Sequence, residues 1–227
     1  MSDETPPIAV FDLDGTLIDT APDLIATLNT ILERVACPPL EFANARSMIG
    51  NGALAMLRAG LGAAGKPVTE DELKGLFGDF IDHYSANIAV HSRPFEGLEA
   101  ALDILEENGW RLAVCTNKLE GLSVDLLGAL DLKDRFATIC GSDTFAFKKP
   151  DPRHITATVE RAGGHAGQAV MVGDSANDIL AAQAANVPVV AVDFGYTDRH
   201  VSEFDPDAVI SSFDALWDAV GRIRRGA

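Results

Sequence analysis

A short apolar run, Ile8-Ala9-Val10-Phe11, ends in two aspartates one residue apart, and the stretch continues as Asp12-Leu13-Asp14-Gly15-Thr16. Further along, Val170-Met171-Val172 runs into Gly173-Asp174-Ser175, and Asp178 follows one helical turn later. Carboxylates brought together at the ends of buried strands repel one another unless a cation joins them. An all-oxygen donor set with no His or Cys cluster suits Mg²⁺ better than zinc or copper. Asp12 and Asp174 are the expected side-chain ligands, Asp14 can add its backbone carbonyl, and Asp178 is placed to support the site from behind.

A carboxylate beside a cation can attack a phosphate ester and become an aspartyl-phosphate. Its neighbour can protonate the departing alkoxide and then deprotonate water. Asp12 is read as the nucleophile and Asp14 as the acid/base. Thr116, after the strand-like Arg111–Cys115, can hydrogen-bond a phosphoryl oxygen, and Lys149, before Pro150, can neutralise the charge left over. Gly15 lets the chain turn so that N–H groups nearby face the anion. With Thr16 and Asn117 it is expected to meet the bound ester. Thr116 and Asn117 can equally cap the helix that follows them.

These positions require a particular scaffold. Short strand-like runs at 8–11, 111–115, 137–140, 169–172, 188–192 and 208–210 alternate with helical patterns near 96–108, 120–130, 152–162, 175–186 and 212–224. Alternation of this kind predicts a Rossmann-like, doubly wound α/β core with a parallel sheet. Ligands of such sheets bind beyond the carboxyl ends of the strands, where the residues above fall. Residues 19–91 break the rhythm and read as helix at 21–35, 41–48, 51–61 and 70–88, with Thr20 as a candidate N-cap and Pro22 in the first turn. The expected division is a core of residues 1–18 and 92–227 and a helical cap of residues 19–91, with Pro94 and Gly97 marking the returning linker. In the cap, Arg46 and Asn51 read either as a helix-end surface pair or as substrate contacts. Arg46 is the candidate cation for a substrate carboxylate, and Arg93 is a weaker one.

The four segments resemble the motifs of the haloacid dehalogenase-like hydrolase superfamily: DxDGT at Asp12–Thr16, the strand-end threonine Thr116, the lysine before proline at Lys149-Pro150, and GDxxxD at Gly173–Asp178. The resemblance spans nearly the whole chain. It implies the same roles: Asp12 as nucleophile, Asp14 as acid/base, and Mg²⁺ held by Asp12, the Asp14 carbonyl and Asp174. It also implies a helical cap at 19–91. The stretches FDLDGTLIDTAPDL, IGNGA, GSDTFAFKKPDP and VGDSANDILAAQAANVPVVAVDFGY look like the phosphoglycolate phosphatase-like branch of that superfamily, with GSDTF standing where a double glycine is expected. The implied substrate is 2-phosphoglycolate. Another small phosphate ester, pyrophosphate, a phosphosugar mutase reaction, or a non-catalytic phosphate-binding module are the alternatives.

The formal net charge of −16 disfavours nucleic acid and anionic membranes as partners. The same field would repel an anionic ester, so the site needs its own positive charge. A small phosphorylated metabolite is the expected partner, and the chain is expected to act as a monomer or a homodimer. Cys37, Cys115 and Cys140 have no CxxC spacing and are read as reduced packing residues. Trp110 and Trp217 are likewise read as packing. The acidic, Pro-containing MSDETPP opening lacks the basic and apolar regions of a signal peptide. It is read as a short tail, and the chain is expected to be cytoplasmic.

Overall fold

The computed structural model describes residues 5–197 and 199–226. The first four residues of the expected tail lie outside them. Six parallel strands form the central sheet: β1 (Ile8–Phe11), β4 (Arg111–Cys115), β5 (Phe136–Cys140), β6 (Ala169–Gly173), β7 (Val189–Val192) and β8 (Ala208–Ile210), in the order β5-β4-β1-β6-β7-β8. β1 lies between β4 and β6, with Ile8 in register with Arg111 on one side and Ala169 on the other. The chain winds outward from β1 in one direction and then in the other. The crevice at the carboxyl ends of β1, β4 and β6 is therefore the topological switch point, where an open α/β sheet binds ligands.

All four β1 residues are buried, which suits a strand covered on both faces. Ala9 and Phe11 turn to the face covered by α5 (Leu98–Glu107), α6 (Glu120–Ala129) and α9 (Leu216–Gly226), through Leu102, Leu105, Leu126, Ala219 and Val220. Ile8 and Val10 turn to the face covered by α7 (Pro152–Arg161) and α8 (Ala176–Ala184), through Ile155, Val159, Ile179 and Ala182. Cys115 and Cys140 are buried register partners on β4 and β5, and both are free thiols. Trp110 is buried, whereas Trp217 is partly exposed on α9.

Between β1 and α5 lie four helices: α1 (Ala21–Arg34), α2 (Phe42–Arg46), α3 (Ala53–Ala63) and α4 (Glu70–Ala86). Leu24, Leu28, Ile31 and Leu32 recur at helical spacing along α1. They pack with Met56, Leu57, Leu61, Leu73 and Phe80 in a core separate from the two beneath the sheet. Gly60 lets α3 approach α1 closely, since a Cβ there would meet the Leu28 side chain at 2.8 Å. The short strands β2 (Ile18–Asp19) and β3 (Arg93–Pro94) pair antiparallel where the chain enters and leaves this insert, so the expected linker is a two-stranded ribbon. Asp23, buried in the first turn of α1, accepts from the His91 and Ser92 N–H groups and the Ser92 hydroxyl, which fastens the returning chain.

Local structure departs from expectation at three places. Thr20 precedes α1 with helical dihedrals and makes no capping bond, because its Oγ1 is buried without a partner. The helix expected at 41–48 shrinks to five residues, and the one expected from 51 begins at Ala53, after Gly50 and Gly52 at positive φ.

Candidate active site

Asp12 leaves β1 still within the ladder, with its N–H on the Val172 carbonyl. Its Oδ1 accepts from the Leu13 N–H at 2.7 Å and pairs with Lys149 Nζ at 3.0 Å. Oδ2 has no hydrogen-bond partner among the described residues. Lys149 is buried and its Nζ also reaches Asp178 Oδ1 at 2.5 Å. The other oxygen of Asp178 accepts from the Ser175 N–H and hydroxyl in a capping box that starts α8. Asp178 thus serves helix and site together. Lys149, in the loop between β5 and α7, is set by His154 on α7. The Lys149 N–H donates to His154 Nδ1 at 3.2 Å, and Nε2 lies 3.1 Å from the Gly141 carbonyl, which fixes the proton on Nε2. Burial and the nearby Lys149 charge push His154 down to about 4, so this ring is neutral at pH 7.

Asp174 closes the third side. Thr16 Oγ1 donates to its Oδ1 at 2.9 Å, and the Tyr196 N–H donates to its Oδ2 at 2.8 Å. The Tyr196 hydroxyl in turn donates to Asp19 at 2.6 Å and accepts from the Ala21 N–H, so the Asp174 support runs into the first helix of the insert. Gly15 has φ +86°, and a Cβ there would collide with the Asp174 carboxylate. Glycine is required twice over, for conformation and for room. The Gly15 N–H donates back to the Ile18 carbonyl instead of facing outward. Thr16 is buried and spends its hydroxyl on Asp174, and neither it nor Gly15 lines the cavity described below.

One oxygen from each of Asp12, Asp174 and Asp178 falls within 4.8 Å of the others. Burial pushes the Asp12 carboxyl up to about 6, and the Asp178 charge adds to the rise while Lys149 opposes it. Burial likewise pushes Asp174 up to about 8, reinforced by Asp178 and Asp12. Lys149 is held above its usual range because Asp12 and Asp178 outweigh its own burial. Asp12 and Asp178 therefore share the one buried ammonium of Lys149, and Asp174 beside them is buried with no cation paired to it among the described residues. A divalent cation would cancel the excess charge, and the donors are all oxygens, so the residues fit Mg²⁺.

Asp14 faces elsewhere. Both of its carboxylate oxygens accept from Lys118 Nζ, at 3.0 and 3.2 Å. The third Nζ proton goes to the hydroxyl of Tyr84 on α4 at 2.9 Å, and the ammonium lies 4.4 Å from the centre of the Tyr84 ring. Asp12, Asp14, Thr116, Asn117 and Lys118 form the floor of a cavity of about 280 Å³. The insert supplies its roof, largely apolar, from Leu24, Ile49, Leu54, Met56, Phe77 and Phe80.

Thr116 and Asn117 belong to this floor and do not cap α6. That helix starts at Glu120 behind Leu119, and its first N–H donates to Asp143. Thr116 Oγ1 accepts from the Lys118 N–H, and Asn117 Nδ2 donates to the Lys149 carbonyl at 3.1 Å. The buried Asn117 Oδ1 has no partner among the described residues. Asn51 lies in the cavity wall, where Asn177 of α8 donates to its Oδ1 at 3.0 Å. Arg46 is not in that wall. Its guanidinium donates to the Phe194 and Gly195 carbonyls at 2.8 and 2.9 Å and sits over the Tyr196 ring, latching the insert to the loop behind Asp174. Arg93 spends its donors on carbonyls of its own segment.

Lys118, Tyr84, Tyr196 and Asp19 are additions that the sequence reading does not make. Lys118 alone had a signal: it stands two positions after Thr116, beyond the same strand.

Fold and site together define a haloacid dehalogenase-like hydrolase, and the model of that family matches residues 9–192. The chain belongs to this family. It is 52% identical over 210 residues to the phosphoglycolate phosphatase of Mesorhizobium japonicum, covering 92% of each chain. It is 46% identical to that of Agrobacterium fabrum, over 94% of this chain and 92% of the relative. Among solved structures, a predicted phosphoglycolate phosphatase from Haemophilus somnus superposes with a TM-score of 0.88 at 29% identity, over 96% of this chain and all of the other.

Proposed function

We propose that this hydrolase is a Mg²⁺-dependent phosphomonoesterase whose substrate is 2-phosphoglycolate, cleaved to glycolate and phosphate. The observation that carries the reading is the placement of Asp12 and Asp14 side by side on the floor of one small cavity, with an Asp12 oxygen unspent. The relatives named above carry the same activity in their names.

In the first step Asp12 Oδ2 attacks phosphorus, and the bond from phosphorus to the ester oxygen breaks. Asp14, turned from Lys118 and carrying a proton taken up from solvent, gives that proton to the departing glycolate oxygen and is left as the carboxylate. In the second step Asp14 takes a proton from water, the hydroxide displaces Asp12 from phosphorus, and phosphate leaves. Lys149 holds Asp12 in place and offsets phosphoryl charge. Asp12, Asp174 and the Asp14 carbonyl would hold Mg²⁺, which supplies further charge neutralisation at the phosphoryl group. The apolar roof keeps bulk water from the intermediate.

Phosphate release, assayed with Mg²⁺ and with EDTA over 2-phosphoglycolate, sugar phosphates, nucleotide monophosphates and pyrophosphate, tests this. Metal-dependent preference for 2-phosphoglycolate is expected, with Asp12→Asn lowering kcat about 10⁴-fold or more. Turnover that survives Asp12→Asn would overturn the nucleophile, and preference for another ester would overturn the substrate.

A further inference from the structure

The cavity meets three cations, and only one faces the reacting groups. Arg58, on α3, is held by both oxygens of Glu70 at 2.8 and 3.0 Å and is more than half exposed. Lys148 is exposed. Lys118 is different. Its side chain is 4% exposed, and all three of its protons are committed, two to Asp14 and one to Tyr84.

This commitment creates a problem for catalysis. Asp14 must turn one oxygen toward the leaving group, yet both oxygens are taken by the ammonium. Pulling Asp14 away would leave a buried cation without its counter-ion, which is strongly unfavourable. The difficulty disappears if the substrate brings a carboxylate of its own. In 2-phosphoglycolate the carboxylate is one carbon from the ester oxygen that Asp14 serves. With that oxygen beside Asp14, the substrate carboxylate lies within reach of the same ammonium.

We propose that Lys118 is the specificity-determining cation of this site: it exchanges Asp14 for the carboxylate of an α-carboxylated phosphate ester, so that Asp14 is released only when such a substrate is bound. The inference rests on the phosphoglycolate reading. Tyr84 holds the ammonium in place during the exchange and links it to the insert. An ester without the carboxylate leaves Lys118 on Asp14. Discrimination then appears in kcat as well as in KM, because the interaction is made as the reacting groups are freed.

The test compares 2-phosphoglycolate with ethyl phosphate, which has a methyl group where the carboxylate stands, in wild type, Lys118→Met, Lys118→Arg and Arg58→Met with saturating Mg²⁺. Wild type is expected to prefer 2-phosphoglycolate in kcat/KM. Lys118→Met is expected to reduce that preference about tenfold to a hundredfold, the effect of one charge-assisted pair, with both kcat and KM changed. Competitive inhibition by glycolate should weaken in parallel, while inhibition by inorganic phosphate should not. Arg58→Met should keep the preference. Should Lys118→Met not fold, Lys118→Arg decides: its displaced charge should raise KM for 2-phosphoglycolate more than for ethyl phosphate. A preference that persists in both Lys118 variants, or one that collapses in Arg58→Met, overturns the proposal and leaves the phosphoglycolate reading standing. A wild type with no preference for 2-phosphoglycolate overturns both.

Discussion

The mouth of the sheet and the helical insert border the same cavity and are built on opposite terms. At the mouth, Asp12, Asp174, Asp178 and Lys149 are buried, and each is fixed by several bonds. In the insert, the cavity is walled by apolar side chains, and the charged residue at its edge, Arg58, is exposed and paired with its own neighbour. Reaction chemistry tolerates little movement and little water, so it is placed where strands end and backbones are already paired. Substrate selection, as proposed, rests on Lys118 in the cavity floor, which Tyr84 of the insert holds in place. The two regions are joined by apolar packing of Leu119, Leu122 and Tyr196 against the insert core and by polar contacts that include Lys118 to Tyr84, Arg46 to two carbonyls, Asn177 to Asn51, and Tyr196 to Asp19.

The contrast can be broken by pH. The folded protein holds protons on Asp12 and Asp174 that the unfolded chain, near 3.8, has already released. Their contribution is complete below that value and is lost as pH rises through about 6 and about 8. His154 has the opposite sign. Its folded value of about 4 lies below the usual 6.5, so its contribution is present above 6.5 and is lost as pH falls toward 4. That loss amounts to about 3 kcal/mol, and His154→Gln should flatten the acid limb of a Tm-against-pH curve. On the alkaline side, Mg²⁺ should raise Tm more at pH 8.5 than at pH 6, since the ion favours the carboxylates ionised. Equal increments at the two values would mean that the acidic cluster is not where the ion binds.

A smaller change sharpens the same contrast. A Cβ at Gly195 would run into the Asp174 carboxylate. Gly195→Ala should therefore weaken Mg²⁺ binding in titration calorimetry about 10- to 100-fold, the usual cost of disturbing what orients a ligand. Unchanged affinity would show that Asp174 can shift without consequence. The smallest effect belongs to the insert. Gly78 is exposed on α4 and a Cβ there meets nothing within 4 Å. Gly78→Ala should stabilise the protein by about 0.5–1 kcal/mol through helix propensity alone. Thermal unfolding would register it, and a fall in Tm would mean that α4 needs the glycine.

Most of the sheet was legible because its strands are short, largely apolar runs that alternate with longer helical patterns. The positions of Asp12 and Asp174 followed from those strand ends, and that of Lys149 from its place before Pro150. What could not be read were partnerships over long sequence distances. Lys118 and Asp14 are 104 residues apart, and no local pattern relates them. Arg46 looked like a free cation because the carbonyls that capture it belong to a loop 148 residues later. Thr20 has the residue type of a cap, but burial beneath the insert gave its hydroxyl nothing to bind. Tyr84 reads as one more apolar position of α4, and only packing shows that its hydroxyl ends on a lysine of the sheet.

The ribbon of Ile18–Asp19 beside Arg93–Pro94 has a consequence for inheritance. Paired strands hold their backbones about 5 Å apart, so the chain leaves the sheet and returns to it through what is effectively a single doorway. Whatever is spliced between those two points must match that spacing at its own ends and offer partners to Lys118 and to the loop behind Asp174. The aspartates and Lys149 at the mouth of the sheet can thus pass unchanged from one descendant to another while the module above them, and with it the partner of Lys118, is exchanged, lengthened or redrawn.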